Sequence, residues 1–183
     1  RCVDRGLASL APGGTLELGF FGGEPLLKAD LIARTIDYAA ERAAAAGAGL
    51  SLGLTTNGTI TTREAWVIMT RPDLELAVSH DGLPPAHDRH RRFAFGAGSS
   101  RRVIETILEL LEARKEPTVV MVVRPDTVEM LPDGIRCLRD LGVRRVAPTP
   151  KFAAAKPVAD LDTLQAVIQN RYDVMAAFAS SLR

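Results

Sequence analysis

Five short apolar runs recur along this chain, and a stretch with helical spacing follows each of them. Leu16 to Phe21, Leu50 to Thr56, Leu74 to His80, Thr118 to Val123 and Arg145 to Thr149 read as strands. After the first, Leu31, Ile32, Ile36, Ala39, Ala40 and Ala43 repeat at helical spacing up to Gly47. Thr61-Thr62-Arg63-Glu64 is a capping-box pattern ahead of Trp66, Val67 and Met69, with Pro72 beyond it. Ser99 or Ser100 caps a stripe of Val103, Ile104, Ile107, Leu108 and Leu111. Leu131, Ile135, Leu138 and Leu141 make the next stripe, ended by Gly142. A helix over Val3, Leu7 and Leu10, stopping at Gly13-Gly14, precedes the first strand. Leu161, Leu164, Ile168, Met175 and Phe178 mark one more helix after the last strand. A helix and then five βα units predict an α/β fold with right-handed crossovers and a parallel sheet. Gly82 to Ser100 reads as a long irregular loop, a length that usually carries function.

Three of the strands alternate, although parallel strands covered on both faces usually read as continuous apolar runs. Leu16, Leu18 and Phe20 share one face, as do Leu50, Leu52 and Leu54, and Leu74, Leu76 and Val78. The opposite face carries Glu17 and Gly19, then Ser51, Gly53 and Thr55, then Ala77 and Ser79. Helices can cover the leucine face. The small, polar face suits a concave interior that holds ligand and water, as in a curved, partial barrel.

At 183 residues, 46% hydrophobic and 25% charged, the chain suits one compact domain. Its 23 basic and 22 acidic residues leave no charge excess to draw it to nucleic acid or a membrane, so neither is an expected partner. Arg89, His90, Arg91 and Arg92 form one local basic cluster. No apolar run reaches the roughly 18 residues of a membrane span. Cys2 and Cys137 cannot make a disulfide framework or a zinc site unaided. Cys137 reads as a small buried apolar residue.

In folds of this type ligands bind at the carboxyl ends of the strands. Gly22-Gly23-Glu24-Pro25, Thr56-Asn57-Gly58 and Ser79-His80-Asp81-Gly82 stand there, after three successive strands. Each serves a turn by itself, because Gly and Asn tolerate positive φ and Pro25 can open a helix. Gly22-Gly23 also lets backbone approach a ligand and expose carbonyls and amides to an ammonium or carboxylate group. Glu24 supplies a charged acceptor or braces the loop. Asn57 and Ser79 offer polar groups suited to a ribose or an amino-acid moiety.

Phe20-Phe21-Gly22-Gly23-Glu24-Pro25-Leu26 resembles the GGEP motif of radical S-adenosylmethionine (radical SAM) enzymes. Thr55-Thr56-Asn57-Gly58 resembles their TNG element. Ser79-His80-Asp81-Gly82, followed by His87-Asp88-Arg89-His90-Arg91, resembles the S-[LIV]-D-G and H-D-x-x-R run of their peptide-modifying branch. That branch includes anaerobic sulfatase-maturating enzymes and peptide maturases, often with a C-terminal SPASM extension. The resemblance implies a partial (β/α)6 barrel whose first strand is missing, with five parallel strands over residues 1–155 and a helix over 156–183 leading toward an extension. It implies S-adenosylmethionine as cofactor, with Gly22, Gly23, Glu24 and Pro25 at its methionine amino group. Asn57 and Ser79 would face its ribose or carboxylate. Arg91 would pair with the carboxylate, with Arg101 or Arg102 behind it. The implied activity is that of an oxidoreductase or peptide maturase: a 5′-deoxyadenosyl radical, formed with a 4Fe-4S cluster, abstracts hydrogen from a peptide or protein side chain.

Some residues depart from the family pattern. The CxxxCxxC cluster loop and the SPASM cysteines are not in this sequence, so the chain reads as a fragment that is inactive alone, with cluster ligands outside it. His80 stands where the family has an aliphatic residue and reads as a packed histidine. Asp81, His87 and Asp88 read as the hydrogen bonds that fold the long loop rather than as an acid/base set, and no catalytic residue is assigned. A barrel-like binding module that lost its cluster is the alternative reading. An unrelated βα enzyme using Glu24, Asp81 and His87 as acid/base groups is a third. The reducing surroundings such a cluster needs make the cytoplasm the expected location. The uncovered first-strand edge is expected to be occupied, by a second copy of the chain in a homo-oligomer, by a swapped segment or by the N-terminal residues folding back.

Overall fold

The computed structural model describes residues 1–150. The helix expected over 156–183 and the division at residue 155 lie outside the described residues. Strands β1 (Thr15–Phe20), β2 (Gly49–Thr56), β3 (Leu74–Ser79), β4 (Thr118–Val123) and β5 (Arg145–Pro150) form a single sheet. All neighbours are parallel and the order is sequential, β1 to β5. Helices α1 (Cys2–Ala8), α2 (Ala29–Ala45), α3 (Arg63–Met69), α4 (Pro84–His90), α5 (Ser100–Glu112) and α6 (Leu131–Asp140) lie between and before them.

The register turns the alternation of each strand into rows that cross the sheet. Leu18 pairs with Leu52 and Leu52 with Leu74, while Phe20, Leu54 and Leu76 make the next row. Val78, Val119 and Val146 continue this face. These side chains pack with Ile36, Ile68, Met69, Ile107, Leu110 and Leu138 from the helices as one core. On the other face Gly19, Gly53 and Glu75 share a row, as do Thr55, Ala77 and Thr118. Glu17, Gly19, Ser51 and Glu75 are exposed there, and a Cβ at Gly19 or Gly53 would meet no atom within 4 Å. Among the described residues the helices cover the leucine face, and the small polar face is open.

Several expectations need correction. Leu16, Leu18 and Phe20 are half-buried rather than buried, because β1 is an edge strand with one neighbour. The first helix ends at Ala8, well before Gly13-Gly14. Thr62, not Thr61, caps α3, its hydroxyl accepting from Ala65 N, so Glu64 falls one position short of the box. The supposed loop from Gly82 to Ser100 contains α4, opened by Pro84-Pro85 where proline's missing N–H costs nothing. Cys137 is half-buried rather than buried, on α6, and Cys2 is exposed on α1.

Candidate functional site

At the carboxyl end of β1 the chain turns through two left-handed residues, Gly22 at φ 96° and Gly23 at φ 57°. Both are exposed, and no atom lies within 4 Å of a Cβ built on either. The turn requires glycine for its backbone, and the space over it is open. Glu24 then caps the short 3-10 turn Pro25–Lys28. Its Oε1 accepts from Leu26 N at 3.0 Å and from Thr56 Oγ1 at 2.8 Å, and its Oε2 accepts from Asn57 N at 2.7 Å. Of the two roles open to Glu24, the geometry selects the brace: it latches the glycine loop to the end of β2.

The Thr56-Asn57-Gly58 turn is equally committed. Thr56 Oγ1 accepts from Gly58 N at 3.0 Å while donating to Glu24. Asn57 Oδ1 accepts from Thr59 N at 2.8 Å and from Thr59 Oγ1 at 2.7 Å, an Asx turn. Gly58, at φ 72°, sits so close to Val78 and Val103 that a Cβ would approach each within 3.1 Å. Its carbonyl accepts from Thr106 Oγ1 at 2.8 Å, which ties the turn to α5.

Asp81, 6% exposed, is the centre of the third element. Its Oδ2 accepts from Arg91 Nε at 2.8 Å, and its Oδ1 accepts from Arg91 Nη2 at 3.2 Å and from Val122 N at 2.8 Å. The carboxylate thus holds β3, β4 and the residue after α4 together. His80 and His87 are buried and stack with ring centroids 4.3 Å apart. Gly82 N donates to His80 Nδ1 at 3.1 Å and Asp81 N to His87 Nδ1 at 3.3 Å. Both Nδ1 atoms therefore accept, and each ring carries its proton on Nε2, 2.9 Å from Ser100 Oγ and Ser99 Oγ respectively. Burial, with His87 as a like-charged neighbour, pushes His80 down to about 3. Burial pushes His87 down to about 4, against the pull of Asp81. Both are neutral at pH 7. The structural roles expected of His80, Asp81 and His87 are what the geometry shows. Asp88 Oδ1 accepts from Ser100 N at 2.8 Å and so caps α5 from outside. Ser99 occupies the cap position but makes no side-chain cap; its hydroxyl bonds His87 and the Arg91 carbonyl instead.

A cavity of about 530 Å³ at this end of the sheet brings Glu24, Asn57 and Arg91 together. Gly22, Gly23, Pro25 and Ser79 are outside its lining. Ser79 lies half-buried on the open face, at the end of β3. Arg91's fork is already engaged by Asp81, so only its outer edge is left for the cavity. Arg101 pairs with Glu105, and Arg102 with Glu105 and Glu109, along α5. Thr59 and Phe93 also line the cavity and carried no signal that singled them out in sequence, and Arg92, which lines it too, stood out only as part of the basic cluster. Among the described residues no group of three His, Cys, Asp or Glu side chains can hold a metal ion. No helix among them is long and apolar enough to cross a membrane.

The model of the Radical SAM superfamily matches residues 3–147. The chain belongs to the radical SAM superfamily. Its five-stranded parallel sheet is a partial radical SAM barrel of the kind seen in solved structures. One is anSMEcpe with bound AdoMet and the Kp18Cys peptide, with TM-score 0.73 and 16% identity over 82% of this chain and 41% of that one. Another is SuiB of Streptococcus suis bound to S-adenosylmethionine, with TM-score 0.58 and 16% identity over 88% of this chain and 35% of that one. SuiB bound to precursor peptide SuiA matches with TM-score 0.54 and 16% identity, over 88% of this chain and 36% of that one. This radical SAM chain thus spans about two fifths of the length of those proteins or less. No curated protein matches it.

Proposed function

We propose that this chain is the core of a radical SAM enzyme that modifies a peptide or protein side chain, from the branch that holds the sulfatase-maturating enzymes and SPASM maturases. The observation that carries this reading is the Gly22-Gly23 turn, open above its backbone and latched by Glu24 to the end of β2. The solved structures that share the fold support it, since their names include AdoMet and peptides.

S-adenosylmethionine fits the residues present. Two exposed glycines leave open space over backbone amides and carbonyls that its amino-acid end could approach. Glu24 keeps the loop in place, Pro25 starts the turn that follows, Asn57 shapes the adjoining end of β2, and Ser79 presents a hydroxyl from β3. Arg91 turns the outer edge of its guanidinium toward the carboxylate, with Asp81 fixing the plane of the fork. When bound, the cofactor would supply radical chemistry that takes hydrogen from a substrate side chain. The 4Fe-4S cluster does not fit the described residues, and Cys2 and Cys137 are too few to hold it. In this reading its thiolates come from outside this sequence, the chain alone is inactive, and the enzyme works in the cytoplasm.

The test is anaerobic reconstitution, with iron and sulfide, of the protein that carries this chain. Dithionite should then release 5′-deoxyadenosine from S-adenosylmethionine. A reconstituted protein that holds its cluster yet releases none would contradict the proposal. The 183-residue chain by itself should hold no stoichiometric iron.

A further inference from the structure

The cofactor reading makes no use of the hairpin that follows α4. Arg92 and Gly98 form an antiparallel bridge, and Phe93 N donates to Ala97 O at 2.9 Å while Gly96 N donates to Phe93 O at 2.8 Å. The hairpin is pinned at its base. Arg92 Nε donates to Asp88 O at 2.8 Å and its Nη1 to Gly96 O at 3.2 Å. Gly98 lies so close to the Asp88 carboxylate that a Cβ would meet it at 2.2 Å. On this support Phe93 and Phe95 stack with centroids 5.1 Å apart and planes 4° from parallel. Phe95 is 79% exposed, while Phe93 lines the cavity beside Leu27, itself 65% exposed.

A single exposed aromatic residue needs no explanation. A stacked pair held by a pinned hairpin at the mouth of a cavity differs, because the ordering that binding would demand is already made in the fold. The charge pattern says what would meet it. Arg91 is matched by buried Asp81, and Arg89 and His90 share Asp126. Arg92 donates to two backbone carbonyls and makes no ion pair among the described residues. Its guanidinium thus lies beside an aromatic surface without an ion-pair partner among the described residues.

We propose that the Arg92–Gly98 hairpin docks a peptide segment in which an acidic residue neighbours an aromatic one, the carboxylate on Arg92 and the ring on the Phe93-Phe95 pair. This rests on the reading of the chain as part of a peptide-modifying enzyme and names the surface and peptide chemistry for it. The probe is a blocked peptide with one Glu-Phe pair in a Gly/Ser background, titrated into the isotope-labelled full chain and followed by amide NMR. Shifts should concentrate in residues 91–98. Lys-Phe and Glu-Ser counterparts should bind about ten-fold more weakly. Arg92→Gln should abolish the preference for Glu, and Phe95→Ser the preference for Phe, while the amide spectrum shows that the hairpin, which the Phe93–Ala97 and Gly96–Phe93 backbone bonds still close, keeps its fold. Equal binding of the three peptides, no shift at the hairpin, unchanged preferences in both variants, or tighter binding of a short oligothymidylate would each overturn the proposal. Titrating S-adenosylmethionine into the reconstituted protein that carries this chain, in parallel, separates the two readings. Cofactor binding without peptide selectivity removes only the hairpin, and peptide selectivity without cofactor binding removes only the radical SAM site.

Discussion

Gly82 has no room for a methyl group: a Cβ there would lie 2.4 Å from Gly134 Cα and 2.9 Å from Met121 Cε, at φ 87°. Gly82→Ala should therefore cost about 3 kcal/mol or more in urea unfolding, since loop and α6 must separate. Gly19→Ala, into open space, should change stability by no more than about 0.5 kcal/mol. Equal effects at the two positions would contradict the close packing of Gly82 on α6. Glu24→Gln keeps one acceptor oxygen where three donors converge, and should cost about 1–3 kcal/mol in the same measurement. The stacked histidines set a pH dependence. Their folded values, about 3 and about 4, lie below the ordinary 6.5, so the unfolded chain binds more protons between those limits. Their stabilisation is complete above roughly pH 6.5 and declines as pH falls toward the folded values, by on the order of 1 kcal/mol per pH unit for each ring. His80→Leu should flatten that decline between pH 6.5 and 4 in chemical denaturation; an unchanged slope would remove His80 as its source.

Among the elements, β1 hydrogen-bonds only to β2, and its outer edge is unpaired within the described sheet. We expect a second copy of the chain to cover it, because folded proteins rarely leave such an edge bare. Light scattering should report a dimer, and the amides of Thr15–Phe20 should exchange slowly. A monomer whose β1 amides exchange as fast as loop amides would show the edge open. The strands were legible in sequence to within about a residue at each end, because alternation of leucine with small residues leaves one phase for the core. Helix α4 was not, because Pro84-Pro85 reads as a break until the structure puts it in a first turn. The cap of α5 was misread for a related reason. Its acceptor is Asp88, twelve residues from Ser100, and local patterns see only Ser99 and Ser100.

For the whole molecule, among the described residues one face of the sheet is covered by helices and the other is open, and the loops at the strands' carboxyl ends are fastened to each other by Glu24 and Asp81. The ordered motifs were readable because each stands just after a strand. Which residues meet was not readable, since it depends on contacts across the chain. Arg91 appeared free in sequence and is engaged by Asp81 ten residues earlier. Asn57 appeared to offer its amide, and its oxygen is engaged by Thr59. Arg92 and Phe93 line the cavity through a hairpin that no local pattern announces. The central claim is that backbone at Gly22-Gly23 holds S-adenosylmethionine, and the most direct test is calorimetric titration of the cofactor into the reconstituted protein carrying this chain. Gly23→Asn, which tolerates the left-handed backbone but fills the space over it, should abolish binding while the circular dichroism spectrum stays that of the wild type; unchanged affinity in that variant would contradict the claim.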